Sequence, residues 1–306
     1  MRRRRGRRGS VLLRGIAGLL SLLALTLASG CAVKTTVRVP VSEKVLAAKT
    51  ATLDELLSAQ ASYSEKITAL TSGTLKATYT SGRVESGKLQ AYHSAPGYIL
   101  LRRPDSILLN IQNPITKTPL FELVSVGDPF AIWYPRENKL FLGKNSLKEI
   151  EIEGHEDLTL RPIHLLEAIL PEKFDSGEPG TFLEMEEARD ATTRYYVLCL
   201  LKGGQGRLVR PLRKLWIDRS DLAVARQEIF DGSGRIQSSV SYSRLTVVDG
   251  LQLPLSVKID RPLDGYSLNM EFRDWHLNPQ LPQNAFEFNA PEGANRIELK
   301  EKGKSE

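Results

Sequence analysis

From Gly73 to Trp275, apolar residues alternate with polar ones in short runs, and each run ends at a turn signal. Leu75, Ala77 and Tyr79 open the series, followed by runs at 89–92, 97–102, 106–112, 120–126, 130–134 and 139–142. A period of two predicts strands with one face buried. The breaks between them, among them Arg103-Pro104-Asp105 and Gly127-Asp128-Pro129, leave room only for tight turns, so neighbouring strands run antiparallel. A second series occupies 194–201, 213–217, 224–230, 236–245, 251–259 and 266–275. In two places the period changes. Leu53, Leu56, Leu57, Tyr63, Ile67 and Leu70 recur at three- and four-residue steps behind the capping-box pair Thr52 and Glu55, which predicts a helix. A second helix is expected over 162–170, started by Pro162 and stopped by Pro171. No unit of 20 to 50 residues repeats, which argues against solenoids and propellers.

The N-terminus follows other rules. An arginine cluster in residues 2–8 precedes an apolar run over 16–27, then Ala28-Ser29-Gly30 and Cys31. Basic, greasy, small and then Cys is the order of a bacterial lipoprotein signal, in which residues 1–30 are removed and Cys31 carries the lipid. The apolar run is short for a spanning helix, which needs about 20 apolar residues. Residues 31–42 then read as a lipidated tether, and 300–306 as a charged, disordered tail.

This segment changes the meaning of the charge. The chain carries 42 basic and 36 acidic side chains for a net charge of +6, but seven arginines and no acid precede Cys31. What remains is almost neutral, so nucleic acid is not an expected partner. Cys199 is the only other cysteine, so no internal disulfide is available once Cys31 is blocked, and it reads as a small core residue.

Chemistry-bearing patterns are sparse. His93, His155, His164 and His276 stand far apart, without an HExxH or CxxC motif, so no metal site or cofactor is expected. Gly203-Gly204-Gln205-Gly206 is followed by Arg207 and reads as a hairpin loop rather than a phosphate loop. Asp231-Gly232-Ser233-Gly234 precedes a strand, where a nucleophile elbow needs a helix. Glu184, Glu186 and Glu187 read as a solvated face. No enzyme is expected.

Binding is the remaining class. A curved antiparallel sheet can hold a greasy ligand in its concavity. Tyr79, Ile99, Phe121, Trp133, Trp216 and Phe272 are the candidate lining residues, although a filled core would show the same periodicity. Between two strands, Asn113-Pro114-Ile115 places an apolar residue among polar neighbours, as a membrane-inserting loop would.

The run 106–123 (SILLNIQNPITKTPLFEL) resembles the strand–turn–strand of the LolA/LolB-like superfamily, and LolB above all. There an Asn-Pro-Leu-Gly turn carries a protruding apolar residue. Asn113 and Pro114 match it, Ile115 takes the Leu position and Thr116 stands in place of Gly. Helix 162–170, Leu215-Trp216-Ile217-Asp218 and the segment 286–294 add to the likeness, which spans most of 50–298. The resemblance implies a mainly β protein with helices (α+β): a curved antiparallel sheet forming an incomplete barrel, closed by two or three helices, over residues 43–299. It further implies an outer-membrane lipoprotein facing the periplasm, a monomer, that binds acyl chains of lipids or lipoproteins and receives cargo from a periplasmic LolA-like carrier. An envelope stress sensor or accessory subunit that binds protein is the alternative on the same scaffold.

Overall fold

The computed structural model describes residues 47–82, 90–91, 94–147, 150–151, 160–174, 177–204 and 208–301. The expected signal, Cys31, the whole of the tether, Tyr92, His93, His155 and residues 302–306 of the expected tail lie outside these residues. Two α-helices are present among them, α1 (Leu53–Lys66) and α2 (Pro162–Ile169). The strands are β1 (Ala69–Ser81), β2 (Gln90–Ala91), β3 (Ala95–Arg102), β4 (Ser106–Gln112), β5 (Pro119–Val126), β6 (Pro129–Tyr134), β7 (Lys139–Lys144) and β8 (Ile150–Glu151). After α2 come β9 (Thr181–Arg189), β10 (Arg194–Gly203), β11 (Val209–Asp218), β12 (Val224–Phe230) and β13 (Ile236–Val248). The last are β14 (Leu251–Arg261), β15 (Tyr266–Phe272), β16 (His276–Leu277), β17 (Asn295–Glu298) and β18 (Lys300–Glu301).

One sheet takes up nearly all of them, in the order β17-β7-β6-β5-β4-β3-β1-β15-β14-β13-β12-β11-β10-β9, with β2 and β16 beside β1. Two antiparallel meanders, β3–β7 and β9–β15, are thus joined through β1 at the centre. Only β17 joins in parallel, beside β7. The outermost strands are β17 and β9, so the sheet stays open and does not close into a barrel.

The two helices sit where their apolar stripes find partners. In α2, Leu165, Leu166, Ile169 and the following Leu170 are buried in one core with Leu70, Ile99, Leu123, Phe141, Val257 and Phe272. Both meanders contribute to that cluster, so the sheet curves around a helix of eight residues. Fully burying each such side chain stabilises the fold by about 1.5–3 kcal/mol. Three side chains donate to carbonyls at and just beyond the C-terminal end of α2. Tyr242 Oη donates to Ala168 O at 2.7 Å, Arg103 Nη2 to Pro171 O at 3.0 Å, and Arg213 to Glu172 O at 3.2 Å.

Helix α1 begins as its sequence requires. Thr52 Oγ1 accepts from Glu55 N, and Glu55 Oε2 accepts from Thr52 N at 2.7 Å. Leu53, Leu56 and Leu57 pack with Phe174 on Tyr196, Leu198, Leu215 and Ile217 of β10 and β11. Upstream, Tyr196 Oη accepts from Ala51 N at 3.1 Å, while Arg219 stacks on the Tyr196 ring and donates to Lys49 O.

Glu184, Glu186 and Glu187 belong to β9, the edge strand, and their carboxylates do sit exposed there. Residues 278–294, rich in turns, cover the outer face of β3–β7. Phe286 packs on Leu108 and Val124, and Phe288 on Ala131, Trp133 and Leu140. Strand β11 starts at Val209, four residues before the expected 213. Cys199 is a buried free thiol, with its pKa pushed up to about 11 by desolvation.

Candidate functional site

The register sorts the turns between two ends of the sheet. Turn 113–118 joins β4 to β5, and at the same end lie the start of β9, the β10–β11 hairpin and the β12–β13 turn. At the opposite end lie the β11–β12 and β13–β14 turns and the start of β1, which follows α1.

The first end carries the apolar tip. Asn113 Oδ1 accepts from Ile115 N at 2.9 Å and from Thr116 N at 3.1 Å. Asn113 O also accepts from Lys117 N, and Asn113 N donates to Thr118 O. These bonds fix a tight turn from which Ile115 projects, 88% exposed. The left-handed residue is Lys117, at φ +60°, one place after Thr116. A second apolar cluster, missed in the sequence, shares this end: Phe182, Leu208 and Val209 are all exposed. Phe182 lies opposite Leu201, and its ring is 3.3 Å from where a Cβ on Gly203 would stand.

The other end holds a cavity of about 410 Å³. One wall is α1, through Leu56, Ala59, Gln60 and Tyr63. Tyr242, Leu245, Leu251 and Pro254 of β13 and β14 face it, with Leu222 and Val224 below and Ile169 and Pro171 from the end of α2. Local sequence shapes this wall. Pro254 has no N–H for the ladder, and Arg244 in the opposing strand adopts φ +57°, where the pairing skips a step. The Pro254 carbonyl turns away to accept from Trp275 Nε1 at 2.7 Å.

Apolar side chains make up most of the wall, and Gln60, Ser62, Lys66, Asp221 and Gln252 add polar groups to it, the mixture found in small-molecule sites. Burial pushes the Tyr63 phenol up to about 12 despite the Arg103 charge, so it stays neutral. Tyr242 is raised for the same reason, and its hydroxyl is already committed to Ala168 O. Lys66 stands exposed at the rim. Gln60 is buried, and its Nε2 has no partner among the described residues. Nearby, burial raises the Glu167 carboxyl against the opposing pull of Arg261 and Arg213.

The six lining candidates are dispersed. Ile99 and Phe272 are buried in the core around α2, and Tyr79 and Phe121 pack against it. Tyr79 stacks on Tyr266, Phe121 meets Tyr134 edge-on, and Phe272 lies 4.1 Å from Trp275. Trp133 packs on the outer face under Phe288. Trp216 lines a separate outer recess of about 300 Å³ with Tyr195 and Asp190, its ring covered by Arg226 at 4.5 Å. None of the six borders the 410 Å³ cavity. Among the described residues, no group of three His, Cys, Asp or Glu side chains could hold a metal, and no helix is long and apolar enough to cross a membrane.

Known proteins can now be set beside this geometry. A DUF1329 family protein from Desulfovibrio piger superposes over 76% of this chain and 94% of its own, with a TM-score of 0.50 at 14% identity. The two chains share a fold. A LolA superfamily protein from Nitrosomonas europaea covers 78% of this chain and 98% of its own, at 15% identity and a TM-score of 0.46. Residues 247–300 match the family model described as "Predicted periplasmic protein (DUF2092)". No curated protein matches the chain in sequence.

Proposed function

We propose that this chain is a lipoprotein of the outer membrane, facing the periplasm, that takes acyl chains of lipoproteins or lipids into the cavity beside α1 and helps deliver them to the membrane. The observation that carries the reading is the cavity itself: about 410 Å³, walled mostly by aliphatic and aromatic side chains with polar residues among them, at the end of an open sheet. Burying an acyl chain contributes about 0.8 kcal/mol per CH₂, enough for reversible capture in such a space. Cys31, read from the sequence as the lipidated residue, would anchor the chain, and no catalytic step is needed.

The tip and the cavity have separate duties in this account. Ile115 enters the bilayer, while the cavity lies at the far end of the strands, turned to the periplasm where cargo arrives. Binding and delivery should therefore separate. The mature chain carrying Cys31→Ser is mixed with a triacylated lipopeptide or its deacylated control and analysed by native mass spectrometry. A one-to-one complex is expected with the acylated form alone. Ile115→Glu should keep that complex, leave stability within about 0.5 kcal/mol, as surface substitutions do, and impair transfer to vesicles. Unchanged transfer would remove the tip from the mechanism. Absence of any complex would favour the protein-binding alternative, for which the exposed Phe182, Leu208 and Val209 offer a surface.

A further inference from the structure

The buried face of α1 carries polar residues that its own pattern does not call for. Leu56, Gln60 and Ser64 are its buried residues, and Gln60 occupies the step between Leu56 and Tyr63 where the stripe asks for an aliphatic side chain. It is 5% exposed, and its Nε2 has no partner among the described residues. A buried donor left unpaired costs about 1–3 kcal/mol, so such groups call for an explanation. Gln60 also borders the cavity, where the Tyr242 hydroxyl gives its proton to Ala168 O and has none to donate to a ligand.

We propose that Gln60 is the polar anchor of the cavity, its side-chain amide donating to the carbonyl oxygen of an acyl group whose hydrocarbon chain lies against the apolar wall. The inference rests on the acyl-binding reading above and adds the ligand's chemistry: an acyl chain bearing an acceptor oxygen, as ester or carboxylate, rather than hydrocarbon alone. Lys66 at the rim separates the two sources, because a carboxylate gains from its charge and an ester does not.

The test compares the mature Cys31→Ser chain with the same chain carrying Gln60→Leu or Gln60→Met, the latter closest in shape to Gln. Three probes of one chain length are titrated: myristic acid, methyl myristate and 1-tetradecene. The unsubstituted chain should prefer the two oxygen-bearing probes. Both substitutions should weaken those two by about tenfold, the worth of one hydrogen bond, and leave tetradecene unchanged or tighter. Both should also raise the melting temperature of the empty protein, since an unpaired donor is removed. Lys66→Ala should weaken the acid and spare the ester. Equal loss or no loss across all three probes would overturn the anchor while leaving the cavity standing. Failure of every probe to bind the unsubstituted chain would overturn the acyl-binding reading and the anchor with it.

Discussion

The β3–β7 meander is packed on both faces, whereas the β9–β15 meander is packed on one and keeps a cavity at its end. In the first, α2 fills the concave side and residues 281–294 cover the convex side, so β4 and β6 are buried along most of their length. In the second, α1 seals β10 and β11 with its leucines but stands off β13 and β14. Among the described residues, no apolar cover lies on the convex face there. Long charged side chains lie over it instead: Lys214 pairs with Glu186 at 3.8 Å, and Arg226 covers Trp216 and pairs with Glu228. Such stems shield apolar surface while their heads stay wet. One meander is therefore a finished core, and the other has both room and an exposed edge.

Truncation should expose this difference most strongly. Phe141 is fully buried beneath α2, and Phe141→Ala should cost about 3–5 kcal/mol. Leu245 is partly open at the cavity wall, and Leu245→Ala should cost less than about 1.5 kcal/mol while changing acyl binding. Denaturant unfolding of both variants checks the pair. Equal costs would mean the cavity wall is as tightly packed as the core.

A smaller effect comes through pH. His164, on the first turn of α2, is held well below its ordinary pKa of 6.5 by desolvation and by the Arg261 and Arg161 charges. Its Nδ1 has no partner among the described residues. A neutral histidine in the fold and a protonated one in the unfolded chain mean that the unfolded state binds the extra proton. Stability is therefore complete above pH 6.5 and falls as pH drops below it, by at most about 1.4 kcal/mol per pH unit. His164→Gln should flatten that slope. A slope unchanged by the substitution would place the acid sensitivity elsewhere.

The two meanders also differed in how legible they were. Ser106-Ile-Leu-Leu-Asn-Ile and Phe130-Ala-Ile-Trp are nearly continuous apolar runs, as strands covered on both faces must be. The capping box at Thr52 and the Pro162 start of α2 were equally plain, because each is a local device. Strand β9 was not, because an edge strand with a wet face tolerates Glu184, Glu186 and Glu187, and its pattern passes for a charged loop. The cover formed by Phe286 and Phe288 lies in turn-rich sequence whose partner strands are more than 140 residues away in the chain.

The candidate site divides along the same line. The Asn113 turn was readable because its hydrogen bonds join residues within five positions of each other. The cavity was not, because periodicity says which face of α1 turns inward and not whether the opposite wall touches it. Tyr79, Ile99, Phe121 and Phe272 satisfied the pattern by packing with one another around α2. Gln60 was the available signal, a polar break in an apolar stripe.

Where an acyl chain lies decides between the cavity beside α1 and the core beneath α2. The most direct measurement is photo-crosslinking with a lipopeptide whose acyl chain carries a diazirine, followed by peptide mapping of the labelled protein. Labels on α1 and on 242–254, suppressed in Leu245→Trp, are the predicted result. Labels centred on Ile99, Phe121 and Phe272 would place the chain beneath α2 and contradict it, and so would no label above that of the deacylated control.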